Sequence, residues 1–332
     1  MDDMAILVCG GAGYIGSHNV RALLDRGSEA VVVDNLWTGH RPAVPDGVPF
    51  YEGDVRDAAL MDRIFSEHKI EAVLHFCACS LVGESVEKPL LYFANNVGGM
   101  QSLLEAMVRH GLRQIVFSSS AAVYGEPSRV PILEDDETKP TNPYGETKRV
   151  MERMMHWVGE RHGIRYVSLR YFNVAGAWHD GSLGEDHRNE THLVPIILQV
   201  PLGRRDCVTV FGDDYPTPDG TCIRDYVYIE DLAQAHLMAL DYLAKGGESR
   251  ILNLGSGDGY SVMEMINAAR RATGRDIPVK VGPRRAGDPA RLVADSALAG
   301  RVLGWRPQVT SMEDIIASAW HWHSAHPQGW GN

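Results

Sequence analysis

The sequence predicts an α/β protein with a doubly wound parallel-sheet Rossmann fold and a smaller C-terminal α/β lobe. Two observations favour the parallel sheet. Short apolar segments recur through the first half of the 332-residue chain, and amphipathic segments lie between most of them. In addition, a glycine-rich turn joins the first apolar segment to the first amphipathic one, as in dinucleotide-binding folds.

Six strands are predicted from segments rich in Val, Ile and Leu. They comprise residues 5–9, 30–33, 49–52, 72–76, 114–118 and 166–170. Because these segments lack a clean alternation of apolar and polar residues, we expect both faces of the sheet to be covered.

Glycines mark the ends of two predicted helices. The first spans residues 17–26 and the second spans residues 95–110. Gly27 and Gly111 follow them directly, and a glycine at this position is a common helix stop signal.

A third helix is predicted to open with Asn142 as its N-cap and Pro143 at its first helical position. Its apolar residues recur at helical spacing, which predicts one apolar face. They are Val150, Met154, Trp157 and Val158.

The character of the chain changes after about residue 173. Proline, glycine and acidic residues crowd residues 178–225, and few regular elements are predicted there. Helical patterns return at residues 230–243, 261–273 and 311–323. We therefore predict a Rossmann domain over residues 1–173 and a second lobe over residues 174–332, with some segments crossing between the two.

Composition narrows the class of protein. The chain is 44% hydrophobic and 23% charged, as in soluble globular proteins. A net charge of −11 disfavours nucleic acid as a partner, because phosphate backbones bind basic surfaces. A strand at the very start leaves no room for a signal peptide, and no apolar segment approaches the ~18–20 residues of a membrane span. We expect a cytoplasmic protein without a membrane partner.

The cysteines are five in number and scattered. They are Cys9, Cys77, Cys79, Cys207 and Cys222. We interpret them as reduced thiols, and no metal site is predicted, because Cys77 and Cys79 are separated by a single residue near a strand end.

The glycine-rich turn predicts a dinucleotide site. Gly10, Gly13 and Gly16 follow the first strand and open the first helix, with Tyr14 and Ile15 between the last two glycines. Such glycines permit a tight turn, a close approach to a pyrophosphate and close helix–sheet packing. The N–H groups and dipole at the helix start favour bound phosphates.

Asp34 ends the second predicted strand, 18 residues after Gly16. A carboxylate there suits a hydrogen bond to the adenosine ribose hydroxyls and repels a 2′-phosphate. The cofactor is therefore predicted to be NAD rather than NADP. The alternative is a solvated carboxylate at a strand end.

A tyrosine and a lysine lie one helical turn apart on the third helix. Tyr144 and Lys148 are four residues apart, so both side chains project from one face. A neighbouring ammonium favours the phenolate, which predicts a lowered pKa for Tyr144. Such a tyrosine can remove a proton from a sugar hydroxyl near neutral pH.

A run of serines ends the fifth predicted strand, at the edge of the sheet where ligands bind. Ser120 could hydrogen-bond a substrate hydroxyl and share its proton with Tyr144. The alternative is a loop serine bound to its own backbone, which is the favoured interpretation for Ser118 and Ser119. No Gly-x-Ser-x-Gly pattern surrounds the run, which disfavours a nucleophilic serine.

Together these residues resemble the extended short-chain dehydrogenases/reductases and, more narrowly, the UDP-glucose (UDP-galactose) 4-epimerase family. The resemblance runs from the first strand to about residue 320. Its motifs are residues 10–17, 34–36, 75–76, 82–86, 95–97, 117–125, 169–177, 211–226 and 285–288. Residues 211–226 (FGDDYPTPDGTCIRDY) are the most specific of these.

The resemblance implies reversible C4 epimerisation of UDP-galactose and UDP-glucose through a transient 4-keto sugar. NAD would stay tightly bound and would be regenerated in each cycle. Tyr144 would remove the proton of the sugar 4-hydroxyl, assisted by Ser120, and Lys148 would orient the nicotinamide ribose.

The resemblance also implies the binding residues. Those for NAD are Gly10, Gly13, Tyr14, Ile15, Gly16, Asp34, Asn35, Asp54, Val55, Phe76, Cys77, Asn95, Ser118, Tyr144, Lys148 and Tyr171. Those for the nucleotide sugar are Ser120, Tyr144, Phe172, Asn173, Leu193, Phe211, Arg224, Arg285, Asp288 and Leu292. Asp54 could instead cap the next helix, and Leu193 and Phe211 could be ordinary core residues. Arginine suits the UDP phosphates because its guanidinium binds them bidentately.

Three other functions fit the residues less well. A 4-epimerase of another UDP-sugar, such as an N-acetylhexosamine, pentose or uronate, remains open because Leu292 is intermediate in size at the position that tunes sugar size in the family. A sugar dehydratase is disfavoured, since Ala121 and Ala122 occupy the positions of its acid pair. A cofactor-binding scaffold without turnover is disfavoured by the intact Tyr144 and Lys148.

A homodimer is expected by resemblance, through a four-helix contact between the helices at residues 95–110 and 143–162. Met155 is expected to be one of the exposed apolar residues of that contact.

Overall fold

A computed structural model describes residues 4–285 and 288–331. Two residues of the 285–288 motif, Ala286 and Gly287, lie outside the described residues. The strands are β1 Ala5–Cys9, β2 Glu29–Asp34, β3 Phe50–Glu52, β4 Ile70–His75, β5 Gln114–Ser118, β6 Arg165–Tyr171, β7 Asn173–Ala175, β8 Val208–Phe211, β9 Ile223–Arg224, β10 Tyr226–Tyr228, β11 Arg250–Leu254, β12 Tyr260–Ser261, β13 Val279–Gly282 and β14 Arg291–Leu292.

The α-helices are α1 Tyr14–Asp25, α2 Ala58–Glu67, α3 Val82–Glu87, α4 Pro89–Tyr92, α5 Gly98–Arg109, α6 Pro143–His162, α7 Leu193–Leu198, α8 Ile229–Ala244, α9 Val262–Thr273, α10 Ala297–Leu303 and α11 Met312–Ala325. Short 3₁₀ turns occupy Arg41–Ala43 and Ala121–Tyr124, and a π-helical turn spans Phe93–Val97. None of the helices in the described part of the chain combines the length and apolarity that crossing a membrane requires.

A seven-stranded parallel sheet forms the centre of the molecule. Its strand order is β11-β6-β5-β4-β1-β2-β3, and each neighbouring pair is parallel. The doubly wound Rossmann fold predicted from the sequence is thus confirmed. The strand order reverses between β1 and β4, and ligands bind at such a crevice beyond the carboxyl ends of the strands.

The core lies on both faces of this sheet, as expected for strands without polar alternation. In β1, Ile6 and Val8 pack into one apolar cluster with α1 and α8. Leu7 and Cys9 pack into a second cluster on the opposite face, with α5 and α6. Side chains of a strand alternate between its two faces, so a strand buried on both faces must be apolar throughout.

One strand of the central sheet was missed. Arg250–Leu254 pairs in parallel with Arg165–Tyr171 and forms the edge of the sheet. Helix Ile229–Ala244, which precedes it, packs against α1 and belongs to the same side of the sheet. Two elements from beyond residue 173 therefore complete the Rossmann sheet. A five-residue segment among loops gave too little periodic signal to predict this pairing.

The predicted helix over residues 95–110 began too late. The chain becomes helical at Pro89, passes through the π-helical turn Phe93–Val97 and continues to Arg109. The backbone remains in right-handed helical angles at Phe93 and at Gly98. Lys88 precedes Pro89 and serves as the N-cap, so a proline at the first helical position marks the true start.

The prediction for helix α6 is correct at its N-terminus but wrong about its buried face. The Asn142 side chain accepts a hydrogen bond from the Gly145 N–H, as an N-cap should. Met151 and Met155 are fully buried, whereas Trp157 is 64% exposed. Met155 therefore cannot belong to an exposed contact. Its side chain packs into the core cluster with the strands of the sheet. The buried face of the helix is thus displaced by one residue from the predicted apolar face.

Small sheets form much of the second lobe. β9 pairs with β12 in antiparallel fashion and with β14 in parallel, while β8 pairs with β13 and β7 with β10. The register places Leu292 of β14 beside Arg224 of β9. These short pairs bring distant segments of the chain to the carboxyl end of the central sheet.

Candidate active site

The glycine-rich turn lies at the crevice between β1 and β4. Gly10 has a φ of +82°, and a Cβ there would lie 2.9 Å from the backbone nitrogen of Cys77, which follows β4. A Cβ on Gly16 would lie 2.0 Å from the carbonyl oxygen of Gly10. A side chain at either position would therefore collide with backbone, so the turn requires glycine.

The start of helix α1 suits a phosphate. Gly13 is its N-cap, and no side chain caps the helix. The N–H groups of the first turn, which includes Tyr14 and Ile15, are thus directed to the crevice without a side-chain acceptor. A Cβ on Gly13 would meet nothing closer than 3.5 Å, so this glycine leaves an open approach to the backbone. The Tyr14 hydroxyl donates to the carbonyl oxygen of Gly176 at 2.6 Å, which anchors the turn to the segment after β7.

Asp34 is held by backbone at the end of β2. Its carboxylate accepts hydrogen bonds from the N–H of Ala12 at 2.9 Å and of Leu36 at 2.8 Å. Burial, which is its largest influence, raises the pKa of Asp34. A carboxylate offers about four acceptor positions, so positions remain for ribose hydroxyls.

Asn35 and Asp54 meet beside Asp34. The Asn35 amide donates to the Asp54 carboxylate at 3.2 Å, and Arg56 binds the same carboxylate. This hydrogen bonding from Arg56 lowers the pKa of Asp54 to about 2. The helix that follows is capped by Asp57, so the alternative role of Asp54 as its N-cap is wrong.

Three further residues predicted near the cofactor follow β3, follow β4 and lie in the π-helical turn. Val55 is 6% exposed and packs into the core, so its side chain has a packing role. The Phe76 ring lies 4.9 Å from the ring of His236. Asn95 lies in the π-helical turn, where its amide donates to the side-chain oxygen of Asn96 at 3.0 Å.

The serine run and helix α6 meet directly. Gly145 allows this approach, since a Cβ there would lie 2.5 Å from the carbonyl oxygen of Ala122. The Ser120 hydroxyl accepts the N–H of Ala122 at 3.1 Å, and it lies close enough to Tyr144 to act on the pKa of that phenol. Ser120 therefore caps its own turn, as the alternative interpretation expected, and its role toward the substrate hydroxyl stays a prediction.

Lys148 lies one turn further along α6. Its ammonium donates to the carbonyl oxygen of Ser118 at 2.8 Å and lies 5.8 Å from the Tyr144 ring centre. The Ser118 hydroxyl hydrogen-bonds the Tyr171 hydroxyl. Ser118 thus contacts neighbouring side chains rather than its own backbone, which corrects the favoured interpretation of this serine.

The predicted lowering of the Tyr144 pKa is wrong for the protein alone. Burial raises the pKa of this phenol, and the hydrogen bond from Ser120 opposes the rise. Burial also lowers the pKa of Lys148 to about 8. Desolvation penalises both charged forms, and it outweighs their mutual attraction when the ammonium is directed to a carbonyl oxygen.

A buried polar network supports the serine run from behind, and sequence reasoning missed it. The Ser119 hydroxyl donates to Glu152 at 2.6 Å, and Arg170 forms an ion pair with Glu152 in which both side chains are 4% exposed. Arg170 also donates to the Tyr124 hydroxyl at 2.8 Å, which in turn donates to Asn253 at 2.7 Å. Glu152 follows Lys148 by one turn of α6, but an acidic residue on a helix gives no sign by itself of being buried.

Asn96 was also missed. This buried side chain accepts the N–H of Cys79 at 2.8 Å and donates to the Thr147 hydroxyl at 2.9 Å. It therefore ties the loop after β4, which includes Cys77, to the turn of α6 that presents Tyr144 and Lys148. No feature of the sequence distinguished Asn96 from its neighbour Asn95, which was predicted to bind the cofactor.

On the substrate side, Arg285 and Asp288 border an open groove of about 560 Å³. Arg224 forms an ion pair with Asp288, and their side chains are 14% and 26% exposed. Arg285 lies 4.2 Å above the Phe211 ring, and that ring is 36% exposed. Phe211 is therefore not an ordinary core residue. The guanidinium of Arg285 borders the groove, where a phosphate could be reached.

The remaining predicted substrate residues are distributed around the serine run. Phe172 and Leu292 pack against the apolar cluster that contains Ala121 and Tyr124. Asn173 donates to the carbonyl oxygen of Asp225 at 3.0 Å. A separate residue, Leu193, begins α7 and is partly buried against the main core, which leaves its packing role and its binding role both open.

A profile of the NAD dependent epimerase/dehydratase family matches residues 6–255. The chain belongs to this family. It is 55% identical over 329 residues to a UDP-glucose 4-epimerase of Lacticaseibacillus casei, and the match covers 99% of each protein. The resemblance first recognised in the sequence motifs is thus confirmed.

Solved structures of family members have the same fold. A crystal structure of a UDP-glucose 4-epimerase superposes with a TM-score of 0.98 at 54% identity, covering 99% of this chain and 100% of that one. A UDP-glucose 4-epimerase from Bifidobacterium longum, in complex with NAD+ and UDP, gives a TM-score of 0.93 at 40% identity, covering 98% of this chain and 100% of that one. The seven-stranded sheet and the lobe beside it are therefore those of this family.

Proposed function

We propose that the chain catalyses the reversible C4 epimerisation of UDP-galactose and UDP-glucose with NAD as its cofactor. The observation that carries this proposal is the placement of Ser120, just after β5, beside Tyr144 of α6, with Lys148 one turn further along α6 and bound to the carbonyl oxygen of Ser118. These three side chains can hold and move one proton beside the dinucleotide crevice. Family membership and the similarity to UDP-glucose 4-epimerases support the same reaction.

The residues present fit NAD. We propose that the first turn of α1 holds the pyrophosphate, because its N–H groups have no side-chain cap. Asp34 would accept the adenosine ribose hydroxyls with its remaining acceptor positions, and Asn35 and Asp54 would lie beside the adenine. When bound, NAD supplies the acceptor and donor of the hydride exchanged with the sugar carbon, and its oxidised ring adds a positive charge that favours the Tyr144 phenolate.

In the proposed reaction each of these side chains has a defined role. Tyr144 takes the proton of the sugar 4-hydroxyl and returns it. Ser120 donates to the phenolate and fixes the substrate hydroxyl, and Lys148 supports the cofactor ribose while held by the carbonyl oxygen of Ser118. Arg224 and Arg285 bind the UDP phosphates, because guanidinium groups match phosphate oxygens in geometry and charge.

The test uses the purified protein with UDP-galactose, with UDP-glucose measured by chromatography. In Tyr144→Phe we expect turnover to fall roughly 10²- to 10⁴-fold, since this is the usual contribution of a general acid–base group. The nucleotide released on denaturation should be unchanged. Tyr242→Phe, on α8, is the matched control and should keep full activity. Near-normal turnover in Tyr144→Phe would refute the role proposed for it.

Sugar range is the second question. Leu292 and Phe172 pack against the apolar cluster that follows the serine run, and we propose that the size of Leu292 limits the space beside the sugar. A panel of UDP-galactose, UDP-N-acetylgalactosamine and UDP-arabinose decides between the main proposal and a 4-epimerase of another UDP-sugar. Leu292→Tyr should reduce conversion of the N-acetylated sugar more than that of UDP-galactose. Equal losses for both sugars would remove Leu292 from this role.

We also propose that residues 1–173 hold NAD and residues 174–332 hold the nucleotide sugar, with α8 and β11 crossing back to the sheet. The direct pairing of β11 with β6 supports the crossing. A cytoplasmic location is proposed as well, supported by five cysteines that are all free thiols.

We propose a homodimer through the helices α3 to α6. Because Met155 is buried, other apolar residues that are exposed would form its interface. Leu90 is 82% exposed, Trp157 64% and Val86 62%, and the helices that carry them pack side by side. Exposed apolar groups on adjacent helices are typical of an interface. Light scattering should give a dimer mass for the wild type and a monomer mass for Leu90→Glu/Trp157→Glu. The control Val281→Glu, at a residue 51% exposed elsewhere, should remain dimeric, and a monomeric wild type would end the proposal.

A further inference from the structure

Four metal-ligating side chains converge in the loop between β7 and α7. Glu185, His187, Glu190 and His192 occupy alternating carboxylate and imidazole positions within eight residues. One ligand atom from each lies within 4.8 Å of all the others. None of them has a part in the proposed epimerisation, and the sequence had predicted no metal.

Three of the imidazole–carboxylate distances are close to those of tetrahedral coordination. The Nδ1 atom of His187 lies 3.4 Å from Oε1 of Glu185 and 3.3 Å from Oε2 of Glu190, and the Nδ1 atom of His192 lies 3.4 Å from Oε1 of Glu190. A tetrahedral zinc site with bonds near 2.0–2.1 Å separates its ligand atoms by about 3.3 Å. The contact between His192 and Glu185, at 2.6 Å, is shorter and would lengthen slightly around an ion.

The cluster is set into the protein rather than spread over its surface. The Glu185 side chain is 4% exposed and that of Glu190 is 9% exposed, while His187 is 24% exposed and His192 45%. Glu190 also accepts the N–H groups of Thr191 and His192, each at 2.8 Å, which fixes its orientation. Ligating carboxylates in proteins are commonly oriented by such second hydrogen bonds.

We propose that Glu185, His187, Glu190 and His192 form a structural zinc site. Two imidazoles and two carboxylates are ligands that Zn²⁺ prefers, and the two carboxylates balance its charge. Four protein ligands leave no open position for a substrate, which is typical of structural zinc rather than catalytic zinc.

The position of the site gives it a clear structural task. His192 directly precedes Leu193, the first residue of α7. On the other side of the loop, Asp186 contacts His40 through its carbonyl oxygen at 3.1 Å and accepts the N–H of Trp330 at 3.0 Å. A bound ion would therefore fix the loop that joins the dinucleotide side of the molecule to the start of α7.

The first test measures zinc directly. The NAD-containing protein is stripped with a chelator, dialysed against limiting ZnCl₂ and assayed for zinc by mass spectrometry. We expect one zinc per chain, and at least ~100-fold weaker binding in His187→Gln/His192→Gln, since even changes to residues that hydrogen-bond the ligands cost 10- to 100-fold in metal affinity. His162→Gln, an exposed histidine at the end of α6, is the control and should bind zinc as the wild type does. Zinc binding that is equal in the double variant, or well below one per chain in the wild type, overturns the proposal.

The second test needs no variant, in case the double variant fails to fold. The stripped wild-type protein is titrated with Co²⁺, which absorbs intensely in the visible range when four-coordinate and weakly when six-coordinate. An intense spectrum that saturates at one equivalent and disappears on adding Zn²⁺ supports the site. A weak six-coordinate spectrum, or no saturable change, overturns it. Both readouts are independent of epimerase activity, so they separate this proposal from the proposed function.

Discussion

The NAD side of the crevice is shaped mainly by main-chain atoms, whereas the substrate side is shaped mainly by side-chain atoms. The NAD edge, by which we mean the Gly10–Gly16 turn with Asp34 and Asp54, is shaped mainly by backbone, and side-chain atoms at Gly10 or Gly16 would overlap main-chain atoms. The arginine groove, which is bordered by Arg285 and Asp288 with Phe211 and Arg224 in contact with them, is shaped by long side chains on short strands and loops.

This difference matches the demands of the proposed reaction. A backbone cradle cannot relax without moving the sheet, so it can hold one cofactor tightly through many cycles. Arginine side chains have many rotamers, so they can keep hold of a phosphate while the sugar changes its orientation. The comparison therefore predicts that substitutions at the NAD edge act on folding and cofactor retention, whereas substitutions in the groove act on substrate affinity.

The largest effect is expected at the NAD edge. Gly16→Ala should destabilise the protein by roughly 4–5 kcal/mol, because its Cβ would collide with a carbonyl oxygen in the turn. The purified variant should also lose its NAD. The control is Gly98→Ala on α5, where a Cβ would meet nothing within 4 Å in right-handed helical backbone. It should be neutral or stabilising by up to about 1 kcal/mol. Thermal unfolding and released nucleotide are measured, and similar behaviour of the two variants would break the comparison.

The buried network behind the serine run comes next. Arg170→Leu leaves the Glu152 carboxylate buried without its partner, which should cost roughly 3–5 kcal/mol of unfolding free energy. Arg250→Leu is the control, since Arg250 pairs with Glu248 at the surface, where side chains are 42% and 78% exposed. Exposed pairs contribute about 0–1 kcal/mol. Denaturant titration gives both values, and equal losses would show that burial of the pair does not matter.

In the arginine groove the effect should be smaller and confined to binding. Arg285→Gln removes one charge-assisted phosphate contact, worth about 1.5–3 kcal/mol, so KM for UDP-galactose should rise roughly 10- to 100-fold. Stability and NAD content should stay unchanged. Arg271→Gln is the matched control, because Arg271 is an exposed arginine that pairs with Glu313 and is not among the residues that line the groove. Loss of NAD in Arg285→Gln would contradict the division between the two sides.

The smallest effect, for each histidine and each pH unit, is the loss of folding stability at acidic pH. Burial lowers the pKa of His18 and of His236 to about 4 and that of His75 to about 3, and all three lie on or against the central sheet. Folding therefore favours their neutral forms. The stability that they contribute is present above pH 6.5 and is lost as the pH falls toward the folded values, by about 1.4 kcal/mol per pH unit for each histidine. Melting temperatures from pH 7 to pH 5 should fall less in His236→Gln, and an unchanged slope would count against this account.

Much of the architecture was available from local sequence. The positions of β1 and β5 were predicted to the residue, and Asn142 with Pro143 fixed the start of α6, because strands buried on both faces and capped helices leave local signals. The order Gly10, Asp34, Ser120, Tyr144, Lys148 predicted the crevice, since carboxyl ends of neighbouring strands must meet.

Other features depend on segments that are far apart in the chain. β11 joins the sheet only through its pairing with β6, and Glu152 is buried only because Arg170 and Ser119 approach it from other elements. The convergence of Glu185 with His192 likewise depends on how their loop closes. No local sequence pattern predicts tertiary contacts of this kind.

The sequence alone predicted which residues lie at the crevice, because helical spacing and strand order set the positions of their side chains. Only the tertiary structure decided their protonation. Neighbouring charge argued for a lowered pKa at Tyr144, but burial raises it, since the free energy of an ionised group depends on every atom that replaces water around it.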